Sequence, residues 1–116
     1  MTLTEYLKFA HVVVNVRAGQ QTLVDRPLAD LGLQRQVALT VPYFFVAMLA
    51  VSGTDYLVTV PRRLAKIVVQ LQTVRAIEAA VELPKFNYMM AWHPRLTNEP
   101  AQQCLREQVR AVAGKV

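Results

Sequence analysis

His11-Val-Val-Val-Asn-Val16 is the first of three apolar runs that are each followed directly by a helix with an apolar face. The other two runs are Val37-Ala-Leu-Thr-Val41 and Tyr56-Leu-Val-Thr-Val60. Because each run is too continuously hydrophobic to leave one side in water, the runs predict neighbouring strands of a parallel sheet covered on both faces. The predicted fold class is therefore α/β.

The helices between these strands have recognisable boundaries. Thr22 with Asp25 resembles a capping box, Gly32 is suited to the helix end, and Pro27 lies beyond the first turn of the helix so defined. The core face of that helix is predicted to hold Val24, Leu28 and Leu31. The second helix, Tyr43 to Val51, is apolar on nearly all sides, which predicts deep burial with Phe45 in the core.

The third helix begins at Pro61 and has the cleanest helical periodicity, through Leu64, Ile67, Val68 and Leu71. Beyond it the rhythm changes to a period of two, which predicts a strand with a bulky stripe made of Phe86, Tyr88, Met90 and Trp92. A final helix opens near Asn98-Glu99-Pro100. Its predicted core positions are Ala101, Cys104, Leu105, Val109 and Val112.

Composition limits the class of protein. The 116 residues suit one domain, and 53% hydrophobic residues is a high fraction for a small domain. The net charge of +5 is dispersed, which indicates a general attraction for anions rather than a nucleic-acid footprint.

With one cysteine and no apolar signal segment before Lys8, the chain is expected in the cytoplasm. Pro42 divides the uncharged stretch from Val37 to Thr54 into a strand and a helix, which disfavours a membrane span.

The ends of two predicted strands form the candidate binding site. Ligands of parallel sheets gather where strands end and helices begin. A hydroxyl followed by a helix start suits a carboxylate or another small anion. The predicted site residues are Thr40, Pro42, Tyr43, Thr59 and Pro61. A purely structural interpretation, in which Pro42 only starts a helix, stays open, and Arg62 and Arg63 are assigned to solvent.

Catalysis, metal binding and a cofactor find no support in the sequence. It has no Gly-x-Ser-x-Gly motif, no glycine-rich phosphate loop and no carboxylate pair in an apolar stretch. His11 and His93 lie far apart without ligands at metal-binding spacing. The protein is expected to be no enzyme and to hold neither a metal nor a cofactor.

Three phrases in order carry a resemblance to a known family. They are Arg35-Gln-Val-Ala-Leu-Thr-Val-Pro-Tyr-Phe44, Gly53-Thr-Asp-Tyr-Leu-Val-Thr-Val-Pro-Arg-Arg-Leu-Ala65 and Ala91-Trp-His-Pro-Arg95. Together they resemble the effector-binding domain of LysR-type transcriptional regulators. The resemblance implies part of a type 2 periplasmic-binding-protein-like fold, with residues 1–72 similar to its second lobe and 73–116 to the crossover and the C-terminal part of the first lobe.

The resemblance also implies a function. Such a domain binds a small, often anionic or aromatic, effector and shifts the arrangement of an oligomer that holds DNA. DNA would be bound only through a winged helix-turn-helix, which has no counterpart in this chain. An alternative is a fragment that self-associates without binding an effector.

Self-association follows from the expected incompleteness of the first lobe. The C-terminal strand and helix lack neighbouring strands, and an open hydrophobic edge favours pairing with another chain. The prediction is a homodimer or larger assembly. Its interface is centred on Phe86, Tyr88, Met90, Trp92 and Leu105.

Overall fold

The structure, a computed structural model, describes residues 1–17, 19–70 and 73–115. Its strands are β1 (Ala10–Val14), β2 (Gln36–Val41) and β3 (Leu57–Val58). Its helices are α1 (Leu3–Lys8), α2 (Asp25–Asp30), α3 (Phe44–Val51), α4 (Arg62–Val69) and α5 (Pro100–Ala113), with a 3-10 turn at Pro94–Leu96. Strands and helices alternate through β3 and α4, which confirms the α/β prediction.

The chain divides into two compact units. The N-terminal unit is Met1–Pro84 and contains the sheet, and the C-terminal unit is Lys85–Val116 and contains α5. The predicted lobes, 1–72 and 73–116, concern the architecture of a whole regulator and stay a prediction.

The sheet is parallel, in the order β2-β1-β3. In β1, Val13 is aligned with Thr40 and Val14 with Val41, while Val12 is aligned with Val58 of β3. The pairing of β1 with β2 contains one irregularity, between His11 and Val12. All three predicted strands form, but β3 is only two residues long instead of five.

Apolar clusters cover both faces of the sheet. One face packs on α3 through a cluster of Val12, Val41, Ala47 and Val51. The other face packs on α1 and α2 through Tyr6, Val24 and Leu28, with Leu57 beside them. The central strand is therefore buried on both sides, as its unbroken Val12–Val14 run predicts.

Helix α2 begins later than predicted. Thr22 and Asp25 do make the reciprocal bonds of a capping box, since each backbone N–H donates to the other side chain. Helical structure starts only at Asp25, which puts Pro27 in the first turn, where its missing N–H breaks no helical bond. The expectation that Pro27 lies beyond the first turn of the helix is therefore wrong.

The end of α2 is a Schellman motif. Gly32 has a φ of 68°, and the Gly32 and Leu33 amides donate to the carbonyls of Ala29 and Leu28. Leu28 is 1% exposed, but Leu31 is 61% exposed, so its assignment to the core is wrong. Leu31 is the C-cap of this short helix and lies beyond its buried face.

An ion pair between the buried Arg35 and the half-buried Asp25 ties α2 to the start of β2. Arg35 donates from Nε to Asp25 Oδ1 at 2.8 Å and from Nη2 to Thr22 Oγ1 at 2.8 Å. Burial alone would raise the pKa of the Asp25 carboxyl, but hydrogen bonds from Arg35 and Thr22 outweigh burial and hold that pKa below its usual value. The pair stabilises the fold where Asp25 stays ionised, and this contribution is lost only as the pH falls below about 4.

Helices α3 and α4 bury one face each. In α3, Ala47, Met48 and Val51 are buried, whereas Phe45 is 63% exposed. The predictions of an all-round buried helix and of a core Phe45 are wrong, because the N-terminal unit covers α3 only from the sheet side. In α4, Val68 is buried but Ile67 is exposed. Leu71 lies outside the described residues.

The C-terminal unit differs from the sequence prediction at residues 86–92. Residues 86–92 form neither helix nor strand, because a strand needs a hydrogen-bonded neighbour and a period of two in the sequence does not provide one. Helix α5 forms as predicted, with Glu99 accepting a hydrogen bond from the Gln102 amide. Cys104 is exposed, as are Leu105, Val109 and Val112, so their assignment to a core is wrong.

His11 is a fully buried histidine at the start of β1. Its Nε2 donates to the Tyr6 carbonyl at 3.0 Å, which leaves Nδ1 as an unprotonated nitrogen with no partner among the described residues. A proton added at Nδ1 would thus be buried without an acceptor. Burial is the main reason that the His11 pKa is lowered, and the positive charge of Arg35 acts in the same direction.

This lowered pKa predicts a pH-dependent stability. The unfolded chain takes up the His11 proton as the pH falls through about 6.5, before the folded chain does. The free energy of unfolding should therefore fall between about pH 7.5 and pH 5, by no more than about 1.4 kcal/mol per pH unit. Urea unfolding across this range measures the slope. His11→Gln should flatten it and the exposed His93→Gln should not, whereas an equal slope in all three chains would contradict the prediction.

Candidate functional site

Two strand-to-helix connections leave the same edge of the sheet. β2 ends at Val41 and passes through Pro42 and Tyr43 into α3, while β3 passes through Thr59 and Val60 to Pro61 and α4. Because the strands are parallel, their carboxyl ends meet at one edge. The structure thus brings all five predicted site residues to that edge, which we call the strand-end site: Thr40, Pro42, Tyr43, Thr59 and Pro61.

The two threonines flank the central strand. Thr40 is aligned with Val13, and Thr59 directly follows Val58, whose partner is Val12. Side chains alternate along a strand, so Thr40 and Thr59 belong to the same face of the sheet, on either side of Val13. With strands about 4.8 Å apart, their backbones are about 10 Å from one another. Thr40 is exposed and Thr59 is half-buried.

Sequence reasoning missed two further residues at this edge. Tyr6 of α1 is buried, and its hydroxyl lies 3.0 Å from the Thr59 hydroxyl. The contact spans 53 positions in the chain, so no local pattern predicts it. Asn15 directly follows β1, and it donates from its side-chain amide to the Gln20 carbonyl and accepts from the Arg17 N–H. A single polar residue at the end of a valine run was the available signal for Asn15.

Backbone amides add to the site. α3 begins after Tyr43 and α4 after Pro61, and neither N-cap residue accepts a hydrogen bond with its side chain. Helix N-termini carry unsatisfied N–H groups and a partial positive charge. The edge therefore combines hydroxyl groups with amide donors, which suits a small anion. Tyr43 is 67% exposed and accessible to a ligand.

Neither arginine after Pro61 is directed into a closed site. Arg62 donates to Glu78 at 3.0 Å, and both side chains are more than 70% exposed. Arg63 is exposed. This agrees with their assignment to solvent, where such ion pairs contribute little.

The predicted interface residues belong to the C-terminal unit. Tyr88 is 82% exposed, and its ring meets Phe86 edge to face at 5.2 Å. Trp92 is partly covered by the Arg106 guanidinium, 4.7 Å from the ring centre. Met90 is half-buried and Leu105 is exposed. Whether these residues form an interface stays a prediction.

Arg106 organises this unit from a buried position. It donates to the carbonyls of Leu96 and Thr97, at 3.0 and 2.7 Å, while Trp92 Nε1 donates to Thr97 Oγ1. An open cavity of about 310 Å³ lies beside it, lined by Trp92, Gln103, Arg106, Glu107 and Arg110. Arg106 is already committed to two backbone carbonyls and to the Trp92 ring, and we assign this cavity no ligand.

Among the described residues, no group of three or more acidic, cysteine or histidine side chains is placed to hold a metal ion. Over residues 1–17, 19–70 and 73–115, no helix has the length and apolar character needed to cross a bilayer.

Comparison with known proteins places the chain in a family. The family described as LysR substrate binding domain matches residues 1–114. The HTH-type transcriptional activator NahR of Pseudomonas putida is 31% identical over 92% of this chain and 36% of its own length. Nodulation protein D 3 of Rhizobium leguminosarum bv. phaseoli is 32% identical, with the same coverage of both chains. The chain thus spans about a third of the length of these curated relatives.

A solved structure shows the same fold. The regulatory domain of MexT, a transcriptional activator in Pseudomonas aeruginosa, superimposes with a TM-score of 0.81 at 33% identity. The match covers 94% of this chain and 55% of that one. These findings confirm both the resemblance and the type 2 periplasmic-binding-protein-like fold. The chain belongs to the LysR substrate-binding domain family of transcriptional regulators.

Proposed function

We propose that this protein is the effector-sensing part of a LysR-type regulator and that it binds a small carboxylate, with or without an aromatic ring, at the strand-end site. The observation that carries the proposal is the position of Thr40 and Thr59 on either side of Val13. Both lie next to a helix N-terminus without a side-chain cap. Hydroxyl and amide donors stabilise a carboxylate without a buried opposite charge. The site acts by binding and not by catalysis.

Signal transmission then rests on a shift between arrangements of an assembly. A ligand changes such an equilibrium only by its difference in affinity between the two states. Operator binding is assigned to the helix-turn-helix that gives relatives such as NahR their name. A cytoplasmic location is part of the proposal, because a regulator of transcription has to reach DNA.

Backbone-amide NMR titration of the chain tests the proposal. The probes are benzoate, phenylacetate, succinate and inorganic phosphate, each added up to millimolar concentration. We expect saturable shifts at the amides of residues 40, 41, 43, 59, 60, 62 and 63 with at least one carboxylate. Shifts spread over the whole surface, or none at the strand ends, would contradict the proposed function.

Thr40→Val should weaken that binding with little loss of stability. Valine keeps the branched shape that suits a strand but removes the hydroxyl. A hydrogen bond to a charged group is worth about 1.5 to 3 kcal/mol, so affinity should fall about 10- to 150-fold. Gln36→Val, at the amino end of the same strand, is the matched control and should leave affinity unchanged. An unaltered affinity in Thr40→Val would remove Thr40 from the site.

Self-association is a second candidate function, favoured by the exposed apolar surface. We propose a homodimer or larger assembly centred on Phe86, Tyr88, Met90, Trp92 and Leu105. A second surface competes with it, since Phe45 and Leu49 of α3 are each more than 60% exposed. No charged residue occurs between Gln36 and Thr54, so two copies of a chain of net charge +5 could meet there without like-charge repulsion.

Sedimentation at micromolar concentration decides between these surfaces. Tyr88→Glu should convert the assembly to monomers if the C-terminal surface is the interface, because a buried unpaired carboxylate opposes association. Leu49→Glu is the matched variant on α3 and should leave the assembly intact. The reverse result would move the interface to α3, and a monomeric wild-type chain would contradict self-association.

A further inference from the structure

The Tyr6 hydroxyl is buried next to the strand-end site. Tyr6 is 5% exposed, and its hydroxyl oxygen lies 3.0 Å from Thr59 Oγ1, its one hydrogen-bond partner among the described residues. Thr59 itself is half-buried directly after β3. The Thr59 hydroxyl of the proposed ligand site is therefore hydrogen-bonded to a second, buried hydroxyl, that of Tyr6.

The ring of Tyr6 is fixed in place by its surroundings. It packs with Val24 and Leu28, and its centre lies 4.4 Å from that of the His11 ring. The Tyr6 carbonyl also accepts the hydrogen bond from His11 Nε2. Ring and backbone are both constrained, so the phenolic oxygen stays within reach of Thr59.

Elementary chemistry gives this hydrogen bond a direction. A phenol is a much stronger acid than an aliphatic alcohol, with a pKa of about 10, and is the better donor. Its oxygen is the weaker acceptor, because one lone pair is delocalised into the ring. On this ground we take Tyr6 as the donor and Thr59 Oγ1 as the acceptor. One lone pair of Thr59 Oγ1 is then occupied, and the O–H of Thr59 points away from Tyr6 and is free to donate elsewhere.

We propose that Tyr6 is a positioning residue that fixes Thr59 as a hydrogen-bond donor at the strand-end site. The site then prefers a ligand group that only accepts, such as a carboxylate, over a group of the same shape that also donates, such as a primary amide. This inference rests on the proposed function and adds the source of its ligand selectivity.

Tyr6→Phe tests the inference, because phenylalanine keeps the packed ring and removes only the hydroxyl. The probes are benzoate and benzamide, titrated into each chain and followed through the backbone amides at the strand ends. In the wild-type chain we expect benzoate to bind at least about 10-fold more tightly than benzamide. In Tyr6→Phe this ratio should fall about 5- to 10-fold, since Thr59 is then able to turn and accept.

Two further variants complete the experiment. Tyr56→Phe removes a hydroxyl from a tyrosine that is 43% exposed just before β3, and the ratio should stay at its wild-type value. Thr59→Val should lower the ratio as Tyr6→Phe does, and adding Tyr6→Phe to Thr59→Val should change nothing more. If Tyr6→Phe does not fold, a wild-type ratio in Thr59→Val would still overturn the inference, because Thr59 is the donor that Tyr6 is proposed to position.

The outcomes distinguish a failure of the Tyr6 inference from a failure of the proposed function. A wild-type ratio in a folded Tyr6→Phe chain would overturn the positioning role while leaving the strand-end site in place. An equal loss of benzoate and benzamide affinity would also overturn it, since that is the mark of a merely structural residue. If neither probe binds the wild-type chain at millimolar concentration, the proposed function fails and the inference fails with it.

Discussion

Leu28→Ala is expected to lower the free energy of unfolding of the N-terminal unit by about 2 to 5 kcal/mol. Leu28 is 1% exposed and lies at the centre of the cluster that joins α1 and α2 to the sheet. Truncation removes the transfer free energy of three carbon atoms and leaves a cavity that Tyr6 and Val24 cannot fill without leaving their own contacts. Urea unfolding followed by circular dichroism measures the loss.

Leu31→Ala is the matched control for this prediction. Leu31 is a leucine of the same segment and, from the sequence, of the same core face, yet it is 61% exposed. Its truncation should cost less than about 0.5 kcal/mol. Equal losses in the two variants would mean that the cluster beneath α2 is not arranged as described.

Arg106→Ala is expected to disorder the turn before α5. Arg106 is 7% exposed and supplies two hydrogen bonds to carbonyls and the contact with the Trp92 ring. Hydrogen bonds from a charged donor are worth about 1.5 to 3 kcal/mol. Removing the Arg106 side chain leaves the Leu96 and Thr97 carbonyls without their donor. Local opening should become about 10- to 150-fold more frequent, measured as faster amide hydrogen exchange at residues 94–103.

Trp92 gives this prediction an independent optical measurement. It is the single tryptophan of the chain, so the fluorescence of the protein reports this site alone. Arg106→Ala should shift its emission to longer wavelength as the indole becomes hydrated. Arg110→Ala, one turn further along α5 and exposed, should change neither fluorescence nor exchange. Arg106→Lys should behave like alanine, because an ammonium group lacks the planar fork that reaches both carbonyls.

The sheet could be predicted from the sequence because its signal is local. The run Val12–Val14 is apolar without interruption, and only a strand covered on both faces accommodates it. The same holds for the end of α2, where Gly32 adopts the left-handed conformation that its position predicts. The strand-end residues followed from this topology, because parallel strands bring their carboxyl ends to one edge.

The errors have a common physical cause. Phe45, Leu31 and Cys104 are apolar residues on a helix or at its end, and an apolar residue indicates a surface to be covered without indicating what covers it. The period of two over residues 86–92 similarly indicates an alternating segment without providing its partner strand. Tyr6 was missed because its partner is 53 positions away, and pairing at that separation leaves no trace in one sequence.

The central position of β1 has a consequence during synthesis of the chain. His11 of β1 pairs with Val37 and Leu57, so both neighbouring strands are translated after it. At about 5 to 20 residues per second, the valine run leaves the ribosome on the order of 2 to 10 s before β3 does. During that interval its two hydrogen-bonding edges are open to other nascent chains. Slow codons between β1 and β3 should therefore lower the yield of folded protein, and a chaperone that holds nascent β1 should restore it.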